Sequence, residues 1–342
     1  MKIQLTYKFD DIISVNNLLE AWKEFEKEKR SRKDVQVFSM NLMDNIFALH
    51  RDLADQAYQH GGYQAFKICD PKPRDIHKAR VRDRLLHHAV HRALYPFFER
   101  TFIADSYSCQ LDKGTHKAVK KLKLFVARAS NNNIGTCYAL KCDIKKFFAS
   151  IDHKILLKIL TEYIPDSDTL WLLEKIISSF SAKPNVGLPL GNLTSQLFVN
   201  IYMNKFDQFI KHKLKAKQYV RYADDFVIID SSAKRLCEFI VPIKEFLKTE
   251  LKLELHPYKV KIRKFGQGID FLGYIVLPHY TILRTKTKKR MFRKIKHHKE
   301  QFELGLISEE TFNQSLQSYY GILGHCDGHK LKVRLDKLVL LK

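Results

Sequence analysis

The sequence predicts an α+β fold, in which helices pack on an antiparallel β-sheet. Apolar β-forming residues flank a short polar tip in residues 219–230, which is typical of two buried antiparallel strands joined by a tight turn. Elsewhere apolar residues recur at helical spacing, for example Leu18, Trp22 and Phe25. The chain has 342 residues, too many for one simple core, so two or three subdomains are expected.

The elements follow from periodicity and from Gly and Pro punctuation. Helices are predicted at 14–30, 40–60 (ending at Gly61-Gly62), 85–98, 117–129, from Asp152 onward, after the Gly/Pro loop 187–196, at 232–250, and from Arg284 through Tyr320. Strands are predicted at 138–143 and 251–255, with hairpins at 63–77, bent by Pro71 and Pro73, and at 268–274.

Composition indicates a folded protein with a polyanionic partner. Lys and Arg outnumber Asp and Glu 60 to 37, a formal net charge of +23, which favours nucleic acid first and an anionic membrane surface second. The alternative is a soluble protein that is merely basic. The apolar fraction of 45% argues against disorder.

Location and redox state are predicted from what the sequence lacks. No apolar run approaches the ~20 residues of a transmembrane helix, and residues 1–4 do not open a signal peptide. The six cysteines show no Cys-x-x-Cys spacing, which predicts free thiols in a reducing cytoplasm. His87 and His91 lie one helical turn apart, but no third ligand is visible, so nucleic-acid contact or simple exposure is favoured over a metal site.

Two adjacent carboxylates, Asp224 and Asp225, occupy the polar tip between Tyr222 and Phe226. Carboxylates so close repel each other, and one takes up a proton unless a cation neutralises both. A hard divalent ion does so, and Mg²⁺ is common where phosphates are handled. An isolated Asp-Asp is more often a solvated turn, but the string Tyr-Ala-Asp-Asp between two apolar runs favours a metal site.

A two-metal site needs a further carboxylate from elsewhere in the fold. Asp143 ends the predicted strand 138–143 and precedes Asp224 by 224 − 143 = 81 residues, enough for a helix and a return strand. This pair of motifs resembles the palm of reverse transcriptases. The resemblance covers roughly residues 60–280, in six or seven blocks in order.

The resemblance implies a right-hand polymerase fold. It places an N-terminal helical extension in 1–62, fingers interleaved with the palm in 63–135, a palm with the catalytic site and primer grip in 136–280, and a basic helical thumb in 281–342. The implied activity is RNA-directed DNA synthesis with two Mg²⁺ ions, for which Mn²⁺ can substitute.

The resemblance also assigns catalytic roles. Asp143, Asp224 and Asp225 are expected to hold the two ions, together with the main-chain carbonyl of Ile144. Lys259 matches the lysine that helps protonate departing pyrophosphate in related polymerases, although a surface lysine is an equally good interpretation.

Nucleotide-binding residues are implied in three blocks. Lys67 and Arg74 match the pair that grips the incoming triphosphate, with a solvated basic hairpin as the alternative. Phe148 matches an aromatic that packs under the sugar and hinders a 2′-hydroxyl, with a core phenylalanine as the alternative and Phe147 as its core neighbour. Leu190 and Gly191 belong to the block beside the nascent pair, where glycine allows close backbone approach.

Template and primer contacts are implied for a further set of residues. Nine Lys or Arg and no acid occupy residues 284–299, which favours a helix against a nucleic-acid backbone, with salt-sensitive binding. The matching residues are Gly114 (template), Phe271, Leu272 and Gly273 (primer grip), and Arg284, Lys288, Lys289 and Arg293 (thumb).

Residues 191–196 read Gly-Asn-x-x-Ser-Gln, which resembles reverse transcriptases of diversity-generating retroelements. Many relatives carry Gln where Leu190 stands, so relaxed fidelity at template adenines is expected. The resemblance also implies a small basic accessory protein and a non-coding RNA that supplies the template.

Alternatives stay open. They are a reverse transcriptase of a phage-defence, retron or group II intron system, a non-catalytic nucleic-acid-binding protein on a polymerase scaffold, and a metal-dependent nuclease. About sixty residues after the primer grip disfavour a group II intron protein, and the missing Val-Thr-Gly disfavours a retron enzyme.

Overall fold

A computed structural model describes residues 3–69 and 73–340. The helices are α1 (Phe9–Ile13), α2 (Val15–Glu26), α3 (Lys33–Met40), α4 (Leu42–Ala54), α5 (Val81–Glu99), α6 (Thr115–Ala129), α7 (His153–Thr161), α8 (Ser167–Ser178), α9 (Leu193–Gln208), α10 (Ala233–Leu251), α11 (Thr285–Glu303), α12 (Glu309–Leu323) and α13 (His329–Leu340). The strands are β1 (Tyr63–Ile68), β2 (Arg74–Ala79), β3 (Tyr138–Asp143), β4 (Gln218–Tyr222), β5 (Asp225–Asp230), β6 (Lys261–Lys264), β7 (Ile269–Phe271), β8 (Tyr274–Val276) and β9 (Thr281–Leu283).

The strands form three separate antiparallel sheets. The central sheet has the order β4-β5-β3-β6, so the two strands that carry the predicted carboxylates are neighbours. β1 and β2 form a hairpin, and β7, β8 and β9 form a three-stranded sheet. The predicted mixture of helices and antiparallel sheet is confirmed.

Each face of the central sheet covers its own hydrophobic core, because successive side chains of a strand point to opposite faces. Leu140 and Ile228 belong to the core that includes residues of α5, α9 and α10. Ala139 and Val227 belong to the second core, which includes residues of α6, β7–β9 and the C-terminal helices. The sheet is therefore buried on both sides, and its strand ends remain as the place for chemistry.

Two predicted elements are wrong in extent. The helix predicted over 40–60 ends at Ala54, because Gln56 adopts a left-handed conformation (φ 52°) that the helix cannot continue through. Asp83 then captures the following segment: Tyr58 Oη donates to Asp83 Oδ1 at 2.7 Å and the Gly61 amide donates to Asp83 Oδ2 at 3.1 Å. The helix predicted over 14–30 ends at Glu26. The following chain turns before α3, a helix that sequence reasoning missed.

The strand predicted at 251–255 is also wrong. α10 continues to Leu251, and Lys252 adopts a left-handed conformation (φ 47°) that ends the helix. Leu255 makes an isolated bridge to Ile144. The bend predicted at Pro71 and Pro73 lies partly outside the described residues.

The cysteines and the helix lengths complete the description. The six cysteines are free thiols. Within the described ranges, every helix is too short or too polar to span a bilayer.

Candidate active site at the edge of the central sheet

The three predicted carboxylates meet at one end of strands β3 and β5. Asp143 lies directly opposite Asp225 in the antiparallel register, so both side chains leave the same face of the sheet. Asp224 lies in the turn between β4 and β5. Its main-chain carbonyl accepts a hydrogen bond from the Ile144 amide at 3.1 Å. The turn depends on Ala223 in the left-handed region (φ 53°), a strained conformation for a residue with a Cβ.

A buried arginine donates a hydrogen bond to the main chain of this turn. The Arg221 guanidinium donates to Asp207 Oδ1 (2.8 Å) and Oδ2 (2.6 Å), and it donates to the Ala223 carbonyl at 3.1 Å. Arg221 and Asp207 are almost completely buried, and Tyr219 Oη also donates to Asp207. Sequence reasoning missed this support, although an arginine inside an otherwise apolar strand was a usable signal.

Asp224 and Asp225 lie in an environment that disfavours their charge. Burial raises the pKa of Asp225 to about 6, with Asp143 and Asp224 adding to the rise and Lys141 opposing it. Burial, followed by the charge of Asp143, also raises the pKa of Asp224. The site therefore favours a bound cation, because a cation stabilises the ionised forms.

Two lysines already contact these carboxylates. Lys259 Nζ lies 2.7 Å from Asp143 Oδ1, and Lys141 Nζ lies 3.2 Å from Asp225 Oδ2. The predicted catalytic position of Lys259 is thus adjacent to the carboxylates. Lys141 was missed, because its contact depends on the register between strands, which the sequence does not display.

The donor set fits a hard divalent ion, which prefers oxygen ligands. Asp225 Oδ1 is buried and accepts no hydrogen bond from the described residues, and such an oxygen calls for a ligand. Within residues 3–69 and 73–340, no three His, Cys, Asp or Glu side chains are already grouped tightly enough to hold a metal ion.

The β1–β2 hairpin brings a cation near this edge of the central sheet. Arg74 pairs with Ile68, whereas Lys67 pairs with Asp75, so Arg74 and Lys67 project from opposite faces. The Arg74 guanidinium opposes the rise in the pKa of Asp224, which places its charge within reach of the carboxylates. The structure thus brings Arg74, and not Lys67, to the face with Ile76.

The loop before α9 contacts the same hairpin. The His77 amide donates to the Leu190 carbonyl at 3.0 Å. Gly191 has φ 109°, and a Cβ there would lie 2.9 Å from Ile76 Cγ2, so glycine is required at this close approach. The predicted nucleotide-binding residues Arg74, Leu190 and Gly191 therefore come together.

Phe148 and Ile144 flank the end of β3. Phe148 is half-buried, its ring centroid lies 5.6 Å from that of Phe147, and its carbonyl accepts the Leu188 amide at 2.8 Å. Phe147 is buried in the core, as predicted. The Ile144 side chain is also buried, which fixes the main chain directly after Asp143.

The predicted template and primer residues lie on three elements. Gly114 precedes α6 with φ 115°, and Leu272 and Gly273 form the tight turn between β7 and β8. Phe271 is fully buried and supports this turn from beneath. The Arg284 amide donates to the Gly273 carbonyl at 2.9 Å, which joins the turn to the start of α11.

The basic residues of α11 form an open surface. Met291 and Ile295 are buried on one side of the helix, as its predicted apolar face requires. Lys289 and Arg293 are exposed, and Lys288 is half-buried. Repulsion between these cations is relieved most effectively by an anion.

Comparison with known proteins decides the family. A family model described as "Reverse transcriptase (RNA-dependent DNA polymerase)" matches residues 70–276. The chain belongs to the reverse transcriptase family. Family membership implies the polymerase fold, and the matched span includes all three aspartates of the site.

Individual relatives of this reverse transcriptase come from several systems. "Protein YkfC" of Escherichia coli K12 is 28% identical over 233 residues, 57% of this chain and 60% of that protein. "Group II intron-encoded protein LtrA" of Lactococcus lactis is 26% identical over 279 residues, 61% of this chain and 45% of that protein. "Retron Ec73 reverse transcriptase" of Escherichia coli is 27% identical over 236 residues, 63% of this chain and 68% of that protein. The chain therefore spans about half the length of the first two relatives.

The histidines of α5 do not take the predicted exposed position. His87 is buried, and both of its ring nitrogens lack a hydrogen-bond partner among the described residues. Burial, with the nearby charges of His60, His88 and Arg84, lowers the pKa of His87 to about 3. The expectation of exposure or nucleic-acid contact is wrong for His87, because α5 is enclosed by α2, α9 and the segment captured by Asp83.

Proposed function

We propose that this reverse transcriptase copies a template RNA into cDNA by two-metal nucleotidyl transfer. One observation carries the proposal: Asp143 lies opposite Asp225, and Asp224 lies in the adjoining turn, within the span that matches the family. The neighbouring arginine, lysines and basic helix are of the type that triphosphate and nucleic acid require.

Asp143, Asp224, Asp225 and the Ile144 carbonyl would hold the ions. Reverse transcriptases generally use divalent metal ions, and a bound pair supplies Lewis-acid activation of the primer 3′-hydroxyl and charge stabilisation of the leaving group. Mg²⁺ is the expected ion, with Mn²⁺ as a substitute. Asp225 Oδ1 accepts no hydrogen bond from the described residues, so it is available as a ligand.

Lys259 is proposed as the proton donor to departing pyrophosphate. Its ammonium group is held at the site by Asp143 Oδ1, at 2.7 Å. An ammonium group carries the proton that a general acid transfers to a leaving group.

The nucleotide is proposed to bind beside the contact between the β1–β2 hairpin and the loop before α9, on the face of the hairpin that carries Arg74. Arg74 would grip the triphosphate through its planar fork, and Lys67 would add charge from the outer face of the hairpin. Phe148 would pack beneath the sugar, and Leu190 with Gly191 would contact the nascent pair.

Template and primer are proposed to lie along the remaining predicted surface. Gly114 would contact the template, and the turn formed by Phe271, Leu272 and Gly273 would hold the primer end. The thumb cations Arg284, Lys288, Lys289 and Arg293 would contact the backbone of the duplex. This arrangement corresponds to fingers in 63–135, a palm in 136–280 and a thumb in 281–342.

We propose the diversity-generating retroelement type, with a small basic accessory protein as partner. Support comes from the sequence Gly-Asn-x-x-Ser-Gln and from Leu190, whose branched apolar side chain cannot donate the hydrogen bond that glutamine offers. The group II intron and retron relatives favour a second candidate, a reverse transcriptase of an intron, retron or defence system.

Primer extension tests the activity. Purified protein is incubated with Mg²⁺, dTTP and oligo(dT) annealed to poly(rA). Extension supports the proposal, degradation of the primer supports a nuclease, and salt-sensitive binding without extension supports a non-catalytic scaffold.

Sequencing of the cDNA tests the subtype. The wild-type enzyme is expected to misincorporate mainly opposite template adenines, and Leu190→Gln is expected to misincorporate less. Equal error frequencies in the two enzymes would remove the fidelity argument and leave the second candidate.

A further inference from the structure

Lys141 is a cation inside an otherwise apolar strand. Its neighbours Leu140 and Cys142 on β3 are buried, and Lys141 itself is half-buried. Lysine rarely occupies such a position unless its ammonium group is paired. Lys141 shares a face with Asp143, because the two residues are separated by one period of the strand.

The ammonium group of Lys141 makes two polar contacts on two different sheets. Nζ lies 3.2 Å from Asp225 Oδ2 on the central sheet. It also donates to the main-chain carbonyl of Asp270 on β7 at 2.6 Å, and it lies 5.9 Å from the centre of the Phe271 ring.

These contacts join elements that share no hydrogen-bonded ladder. β3 and β5 belong to the four-stranded sheet, whereas β7 belongs to the three-stranded sheet. A main-chain carbonyl cannot move without its backbone, whereas a side chain can change rotamer. The hydrogen bond from Lys141 therefore restrains the backbone of β7 itself. The Asp270 side chain pairs with Arg284 at the start of α11, which anchors the same residue from the other side.

We propose that Lys141 is a positioning residue, which fixes the turn between β7 and β8 at a set distance from the Asp225 carboxylate. The inference rests on the proposed function, in which that turn holds the primer end and Asp225 holds a metal ion. Reaction requires the 3′-hydroxyl to be placed accurately, since a misplacement of about 1 Å costs roughly 100-fold in rate. A rigid link between the two elements supplies that accuracy.

The test measures single-turnover addition of one nucleotide to a preformed primer–template complex. Lys141→Met keeps the length of the side chain and removes its charge and hydrogen bond. We expect its rate constant to fall about 10–100-fold, while the Kd for primer–template and the fraction of complex that reacts stay near those of the wild type. Lys141→Arg is expected to restore part of the rate.

Lys205→Met is the matched control. Lys205 is exposed to a similar degree and pairs with Glu162, between α9 and α7. Its rate constant is expected to equal that of the wild type. If Lys141 had a merely structural role, Lys141→Met would lower the melting temperature and the reacting fraction but leave the rate constant of the surviving complexes unchanged.

A second measurement does not depend on catalysis. A 2-aminopurine at the primer 3′ end reports the environment of the terminus by fluorescence. The wild-type complex and the Lys205→Met complex are expected to show one signal, and Lys141→Met a different one.

The outcomes separate the two proposals. A wild-type rate constant and a wild-type 2-aminopurine signal in Lys141→Met would overturn the role of Lys141 and leave the polymerase proposal intact. A wild-type protein that neither binds nor extends the primer would overturn both.

Discussion

The edge of the central sheet and helix α11 are both rich in charge, but they hold it differently. At the edge, Asp224 and Asp225 are half-buried, and their pKa values are raised. On α11, Lys289 and Arg293 stand in solvent above a small apolar face. Catalysis requires charges at fixed positions, and burial fixes them but lowers the stability of the fold. Attraction to a polyanion requires only exposed charge, which costs little stability.

The largest expected effect is at Asp224, where one substitution should lower the activity and raise the stability. Asp224→Asn removes a carboxylate from the metal site, so the extension rate should fall about a thousand-fold. The same change should raise the melting temperature at pH 7. Because the folded-state pKa of Asp224 is raised, its ionisation opposes folding as the pH increases above the ordinary value of 3.8. The gain should therefore be larger at pH 7 than at pH 4.

Asp230→Asn is the control for Asp224→Asn, at the opposite end of β5. It should leave the extension rate unchanged. Extension at the wild-type rate by Asp224→Asn, or a lower melting temperature at pH 7, would contradict the view that this edge sacrifices stability for chemistry.

The next effect concerns the buried support of the turn. Asp207→Ala leaves the Arg221 guanidinium buried without a counter-charge, which should cost about 3–5 kcal/mol in the free energy of unfolding, measured in urea. The double variant Asp207→Leu/Arg221→Met should recover most of this stability. It should not recover the extension rate, because the Ala223 carbonyl has lost its donor. A double variant as unstable as Asp207→Ala would be evidence against the charge explanation.

Acid stability should depend on His87. Its folded-state pKa of about 3 lies below the ordinary 6.5, so stability is fully present above pH 6.5 and is lost as the pH falls toward 3. The slope of the unfolding free energy against pH between pH 6.5 and pH 4 reports the number of protons taken up on unfolding. In His87→Leu this number should be lower by up to one. His297→Leu changes an exposed histidine on α11 and should leave the slope unchanged. An unaltered slope in His87→Leu would mean that His87 is not a buried neutral group.

The smallest effect belongs to α11. Lys289→Gln/Arg293→Gln should weaken primer–template binding and lower the slope of log K against log salt by about one for each contact removed. The control is Lys234→Gln/Lys248→Gln, two exposed lysines on α10, and it should keep the wild-type slope. Equal slopes in the two double variants would show that α11 does not contact the nucleic-acid backbone.

The sequence predicted those features that depend on local pattern. The strands around Asp224 and the strand ending at Asp143 were predicted because alternation and turn residues lie within a few positions of each other. The start of α7 was found because Asp152 is an N-cap, and its side chain accepts the Ile155 amide at 3.0 Å.

Features that depend on long-range contacts were missed. Gly61-Gly62 gave a good helix stop, but α4 ends at Ala54, and the segment up to Gly61 is held instead by Asp83, more than twenty residues away. The role of Lys141 follows from the register of two strands and from the approach of β7. The opposite projection of Lys67 and Arg74 likewise depends on hairpin register, which a seven-residue spacing does not determine.

Counting bound metal ions tests the central claim most directly. Mn²⁺ binding is measured by electron paramagnetic resonance in complexes with primer–template and a non-hydrolysable nucleotide, for the wild type and for Asp143→Asn, Asp224→Asn and Asp230→Asn. Two bound ions are expected in the wild type and in Asp230→Asn, and at least one ion fewer in Asp143→Asn and Asp224→Asn. The same number of bound ions in all four proteins would contradict a two-metal site held by these aspartates.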